Sequence, residues 1–207
     1  DSYYGEFLKE AVKNIADCER GYEYNLERLL KLRFGTSDFY SRNLTELGCE
    51  ANDIIFNCPM LQVQWMNEKS STKKIIKHDF YDWTNKFPII RRFSNVNNML
   101  AIAIEQIRYN KPDILYVQDL NLFPNGVLNQ LRKEGAFKIA VGQIACPLPA
   151  NSYLNGYDLI LTSFPHFVKK FRDSGIASEY FKIGFDPIIF NEVGRVEQLH
   201  SCTFVGG

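Results

Sequence analysis

A carboxylate, three amides and a thiol recur where apolar runs give way to polar loops. Gln118, Asp119 and Asn121 follow the run Ile114–Val117, Gln143 and Cys146 border the end of 137–144, and Ser163 follows 157–162. Asp119 could accept the proton of an attacking hydroxyl, or orient that hydroxyl by hydrogen bonding. It could equally cap its own loop, because aspartate readily accepts from nearby backbone N–H groups. Near the chain start, Tyr3 and Tyr4 offer flat rings with hydroxyls, and Gly5 lets backbone approach a ligand closely; the plainer reading is the apolar start of a first helix. Gly184 and Asp186 suit a sharp turn with positive φ and a side-chain bond, which would redirect the chain as a hinge. Cys146 has no histidine near it in the sequence and no nucleophile signature, so it reads as a small buried or rim residue. His166 reads as an exposed helix residue, and His78 and His200 lack metal-ligand spacing, so no metal site is expected.

These residues need a scaffold that brings strand ends together. From Asn98 onward the pattern alternates. Leu100, Ile104 and Ile107 repeat at helical spacing until Asn110-Lys111-Pro112-Asp113, where proline disfavours helix in the residue before it. Ile114–Val117 is wholly apolar, as a strand covered on both faces would be. A helix is predicted from about Pro124 to Lys133, closed by Gly135, then a strand over 137–144 and a rigid Cys146-Pro147-Leu148-Pro149 loop. A further strand over 157–162 precedes a helix with Ser163 as its cap and Pro165 in its first turn. Phe164, Phe167, Val168 and Phe171 give that helix one aromatic stripe, read as core packing. A last strand is expected over 180–183, and 191–200 reads as a polar linker.

The first third reads as helical. Apolar spacing predicts helix between about Tyr4 and Leu47, stopped by Gly48 in a C-cap position. A short strand is expected at Asp53-Ile54-Ile55-Phe56 and a helix from Pro59 to Glu68, with Leu61 and Trp65 on one face. The stretch from Ser70 to Arg92 fits either state. The whole is an α/β pattern, a Rossmann-like open parallel sheet with helices on both faces and extra helices near the N-terminus.

Composition narrows the partners. The chain has 207 residues, 45% apolar and 14% aromatic, enough for one sizeable core. Its 24 basic and 24 acidic side chains cancel, which leaves no electrostatic footprint for nucleic acid. No apolar stretch reaches the roughly 18 to 20 residues of a membrane span. The five cysteines lack CxxC spacing and fit reduced thiols, hence a cytoplasmic setting.

Several segments carry a resemblance. They are Ser2-Tyr3-Tyr4 with Phe7-Leu8; Phe34 to Leu44 running on to Leu47-Gly48; Asn57 with Leu61-Gln62 and Trp65; Pro112 to Asp119; Gly142 to Pro147; and the exit from Gly184-Phe185-Asp186 to Phe190. In that order they cover nearly the whole chain, which resembles the N-terminal lobe of the CgeB-like, or spore-protein-like, glycosyltransferases of GT-B fold. The resemblance implies sugar transfer from a nucleotide-sugar to an acceptor sugar or glycoconjugate, usually without a metal and with no cofactor beyond the donor. It implies an acceptor-side lobe over 1–190, and over 191–207 a linker and the first strand of a donor-binding C-terminal lobe, absent here. The lobe alone is then expected to be inactive. Many GT-B relatives place a histidine near the end of the strand before the Cys146 loop; Gln143 and Ile144 stand there in this chain, which leaves Asp119 as the candidate base. The expected substrate contacts are Tyr3, Tyr4, Gly5, Gln118, Asn121, Gln143, Cys146 and Ser163, with Gly184 and Asp186 at the hinge.

Two other readings stay open. A non-catalytic binding or interaction module could keep the same fold, because fold does not dictate function. A different nucleotide-using enzyme is disfavoured, since no GxGxxG follows a strand and no GxxxxGK[ST] occurs.

Overall fold

Four short strands pair in the order in which the chain makes them. The computed structural model describes residues 10–11, 20–70, 96–148, 150, 153–182 and 184–194. Among these, helices α1 (Gly21–Leu30), α2 (Phe39–Glu46), α3 (Pro59–Lys69) and α4 (Val96–Asn110) precede the sheet. Strand β1 (Ile114–Val117), helix α5 (Val127–Lys133), strands β2 (Ile139–Ile144) and β3 (Leu159–Thr162), helix α6 (Pro165–Asp173), strand β4 (Ser178–Tyr180) and helix α7 (Ile188–Val193) follow. The sheet order is β1-β2-β3-β4 and every pairing is parallel. This is the α/β, Rossmann-like architecture that the strand and helix alternation predicts.

Register sorts the side chains onto two faces. Leu115 pairs with Ala140, Val117 with Gly142, Gly142 with Ile160, and Ile144 with Thr162, so these residues share one side. All of them are buried. Leu120, Phe123, Leu128, Leu131 and Phe171 complete that core, with Ile107 from α4. Gly142 is required there: a Cβ would lie 2.2 Å from Leu120 Cδ2 and 3.0 Å from the Tyr157 ring. The other side carries Ile114, Tyr116, Val141, Gln143 and Leu161, none of them buried.

A second core joins α1, α3 and α4 through Tyr22, Leu29, Met60, Leu61, Trp65 and Ile102. It holds several amides. Asn25 Nδ2 donates to Gln64 Oε1 at 3.2 Å and Gln62 Nε2 to the Ile55 carbonyl at 2.8 Å. Gln106 is fully buried, and neither of its amide atoms has a partner among the described residues.

Helix ends follow the expected local chemistry in most places. Gly48 takes φ +89°, and the bonds Gly48 N–H to Thr45 O and Cys49 N–H to Leu44 O close α2 in a Schellman arrangement. Pro59 and Pro165 open α3 and α6, while Gly135 and Gly175 follow α5 and α6 at positive φ.

Five expectations need correction. The helix expected between Tyr4 and Leu47 is interrupted by turns over 31–38, where Arg33, Gly35 and Ser37 all adopt positive φ, and its stretches 4–9 and 12–19 lie outside the described residues. Asp53–Phe56 is not a strand; no strand among the described residues pairs with it, and Asp53 instead accepts from the Ser41 hydroxyl. β1 is not covered on both faces, since Ile114 is 58% exposed. The last strand lies over Ser178–Tyr180, earlier than 180–183, because Ile160, Leu161 and Thr162 of β3 pair with those residues. The polar stretch from 191 begins inside α7, not in a linker. The ambiguous segment 71–92 lies outside the described residues.

Candidate functional site

The carboxyl ends of β1 and β2 carry a phenol and an amide on the half-covered face, and α2 brings a second phenol to them. Tyr116 donates a short hydrogen bond to Gln143 Oε1, and the Tyr40 hydroxyl donates to the same oxygen at 3.3 Å. The Tyr40 and Tyr116 rings meet edge to face with centroids 5.2 Å apart, and Phe181, just after β4, lies 6.4 Å from Tyr40. Beside them, Thr36 Oγ1 donates to Gln118 Oε1 at 3.0 Å. Gln143 Nε2 makes no hydrogen bond to another described residue, and Gln143 is only partly buried.

The electrostatics of this cluster are neutral. Burial, and then the hydrogen bond and charge of Tyr40, push the Tyr116 phenol above its ordinary range. Tyr116 is therefore a hydrogen-bond donor at neutral pH and not a base. The guanidinium groups on α2 and on the loop before it are engaged in ion pairs. Arg33 pairs with Asp38 and with Glu192 at 3.1 Å, and Arg42 pairs with Asp186 and with Glu46 at 3.2 Å. The arrangement suits a ligand bound through hydroxyl or amide contacts and ring faces.

The expected residues divide. Register puts Gln118, Gln143 and Ser163 at the same edge, since Val117 pairs with Gly142 and Ile144 with Thr162. Gln118 and Gln143 are the two that the cluster engages. Asp119 is exposed, and its Oδ1 accepts from the Asn121 backbone N–H at 2.9 Å and side-chain amide at 3.2 Å, the loop-capping role. Its charge adds to burial in raising the Tyr157 phenol. Cys146 is exposed, with its thiol 3.6 Å from the Pro147 carbonyl, which places it on the rim. Ser163 does not cap α6. The chain enters that helix one residue later, at Phe164, whose N–H is taken by the Thr162 hydroxyl at 3.2 Å.

The hinge residues also part company. Gly184 lies outside the left-handed region and is exposed, so the positive φ expected of it is absent. Asp186 is buried and makes the side-chain bond expected at the turn, accepting from the Ile188 N–H at 3.0 Å. It also accepts from Asn43 Nδ2 at 2.8 Å and from the Arg42 guanidinium. Burial alone would raise its pKa, but the Ile188, Asn43 and Arg42 donors outweigh that and hold it below the ordinary carboxylate range. Tyr3, Tyr4 and Gly5 lie outside the described residues.

Tyr40, Tyr116, Thr36 and Phe181 were not among the site residues expected from the sequence. One signal pointed to Tyr116: it is the only side chain with a polar atom in the run Ile114–Val117, and an alternating strand puts it opposite Leu115 and Val117. Nothing local marks Tyr40, whose partners are 76 and more residues away. No family model, curated protein or solved structure matches the chain.

Proposed function

We propose that this chain is the acceptor-side lobe of a glycosyltransferase that transfers a sugar from a nucleotide-sugar held chiefly by a second lobe. The observation that carries the reading is the neutral cluster at the strand ends. Sugars are recognised by side chains that donate and accept without charge and by aromatic faces, and Tyr40, Tyr116, Gln143 and Gln118 supply both. The amide of Gln143 would take an acceptor hydroxyl. A nucleotide diphosphate would find Arg33 and Arg42, the guanidinium groups of α2 and the loop before it, already in ion pairs, in keeping with a donor site elsewhere.

The test assays this chain, together with any sequence that flanks it in its gene, against a panel of nucleotide-sugars. Turnover of a donor that drops with Gln143→Ala, mainly through a raised KM for acceptor, supports the assignment. Absence of turnover and of nucleotide binding across the panel rejects it. The isolated 207 residues should bind nucleotide-sugars negligibly, and a tight saturable complex would displace the donor site to this lobe.

One observation favours a second reading, a non-catalytic binding module of the same fold. The Asp119 carboxylate is occupied by its own turn, so a base would have to be freed from that turn or come from another lobe. Asp119→Asn separates the two readings: the enzyme reading expects a fall in turnover with little change in the melting temperature.

A further inference from the structure

Helix α2 delivers Tyr40 to the strand ends without burying a single residue of its own. Such a helix has little hydrophobic anchorage, and eight residues are too few for helix propensity alone to hold it. It is tied down by polar contacts. Ser41 donates to Asp53 on one flank, and Arg42 and Asn43 both reach Asp186 on the other. The loop before it is strained, with Arg33 at φ +52° and Ser37 at φ +41°, and each of these costs about 1 kcal/mol or more against the ordinary regions. Both strained residues are held: Ser37 Oγ donates to the Leu30 carbonyl at 2.5 Å, and Arg33 is clamped between Asp38 and Glu192.

We propose that Asp186 is a positioning residue for the strand-end cluster: by gripping Arg42 and Asn43 it fixes α2 and so keeps Tyr40 against Tyr116 and Gln143. Asp186 touches none of the cluster itself. It acts through α2, because Arg42 and Asn43 are two and three residues beyond Tyr40 on the same helix, where one rigid turn carries all three. Its side chain is only 3% exposed, and its two oxygens already serve Ile188, Asn43 and Arg42, so it cannot let go of α2 without leaving a buried carboxylate short of donors. The low pKa of this carboxyl fits a group charged throughout the neutral range. The facing charged groups are Arg42, Asp38, Glu46 and, through Arg33, Glu192. The segment that leaves β4 is thereby coupled to the geometry of the site. This inference needs no particular reaction and stands apart from the glycosyltransferase reading.

Incorporation of 3-fluorotyrosine gives ¹⁹F signals that Tyr40→Phe and Tyr116→Phe assign. In Asp186→Ala, and separately in an Arg42→Ala/Asn43→Ala double variant, the Tyr40 and Tyr116 signals should move toward that of free tyrosine, and the Tyr40–Tyr116 ring–ring proton contact should be lost. Methyl signals of Ile160 in the core should stay in place. Asp186→Asn, whose one amide oxygen can serve either Ile188 or the Asn43 and Arg42 side but not both, should move the tyrosine signals no further than Asp186→Ala does. Glu179→Gln, which breaks the exposed Arg172–Glu179 pair, should move neither tyrosine. Unmoved tyrosine signals in folded Asp186→Ala or in the double variant overturn the proposal. Global unfolding of both would overturn it too, since Asp186 would then be a residue of general stability.

Discussion

The two faces of the sheet are built from the same four strands and do opposite work. One face packs Leu115, Val117, Ala140, Ile144 and Ile160 under α4, α5 and α6 with every one of these side chains buried. The other puts Tyr116 and Gln143 under Tyr40 of α2, half-covered and joined by hydrogen bonds. Alternation along a strand makes this possible, because neighbouring residues answer to different environments. Burial of hydrocarbon stabilises the first face and tolerates little change. The second gains less from burial, and so has freedom to keep polar groups available for a ligand.

The largest test of that contrast removes bulk from the apolar face. Ile160→Ala should cost about 2–5 kcal/mol, read as a lowered urea midpoint, because Ile160 is fully buried between β2 and β4. A loss below 1 kcal/mol would mean that this face is not the principal core. Adding bulk at the tightest point should come next. In Gly142→Ala the new methyl meets Leu120 and the Tyr157 ring, and repacking should cost about 1–3 kcal/mol, with the melting temperature reduced accordingly. On the polar face, Tyr116→Phe removes one hydroxyl while Tyr40 still serves Gln143. Its cost in folding should be about 0.5–1.5 kcal/mol, whereas any ligand that uses Gln143 should bind measurably differently. Equal losses for Tyr116→Phe and Ile160→Ala would erase the distinction between the faces.

The smallest effect is in pH dependence, and two carboxylates near α2 give it opposite signs. The Asp186 pKa is lowered in the folded chain, so its contribution is present above the unfolded value and lost as pH falls through the folded one. The Asp53 pKa is raised, by burial first and then by the charge of Asp38 against the Ser41 bond, so its contribution is full below the unfolded value and lost as pH rises through the folded one. Urea midpoints measured across the acid range should therefore decline less steeply toward low pH in Asp186→Asn than in the unsubstituted chain. In Asp53→Asn the decline toward low pH should steepen. Parallel curves for all three chains would place neither carboxylate in a coupled environment.

Legibility in the sequence tracks how local the cause is. The parallel sheet, the proline-led starts of α3 and α6 and the glycine stop after α2 follow from spacing and turn chemistry within a few residues, and these were readable. Strand limits were less so: β4 is defined by what β3 pairs with, which no local pattern carries. The strand ends at Gln118 and Gln143 could be found from apolar runs alone. Their partners could not, because Tyr40 and Thr36 arrive from a helix and loop with no apolar stripe to reveal their placement. Ser163 misled for a simple reason, since a serine two residues before a proline looks like a cap, yet Pro165 sets the first helical position and leaves Phe164 as the cap residue. Asp186 looked like a local turn residue and turned out to bind a helix more than 140 positions earlier.

Strand order has a consequence for how the chain reaches this shape. Each strand pairs with the next one made, so every new pair closes a connection of only about 14–21 residues, and each doubling of such a loop costs merely ~0.6 kcal/mol. Among the described strands, no later one has to be threaded between two earlier ones. On the ribosome, β2 can zip onto β1 before β3 has emerged, and the sheet can lengthen in the direction of synthesis by addition to one edge.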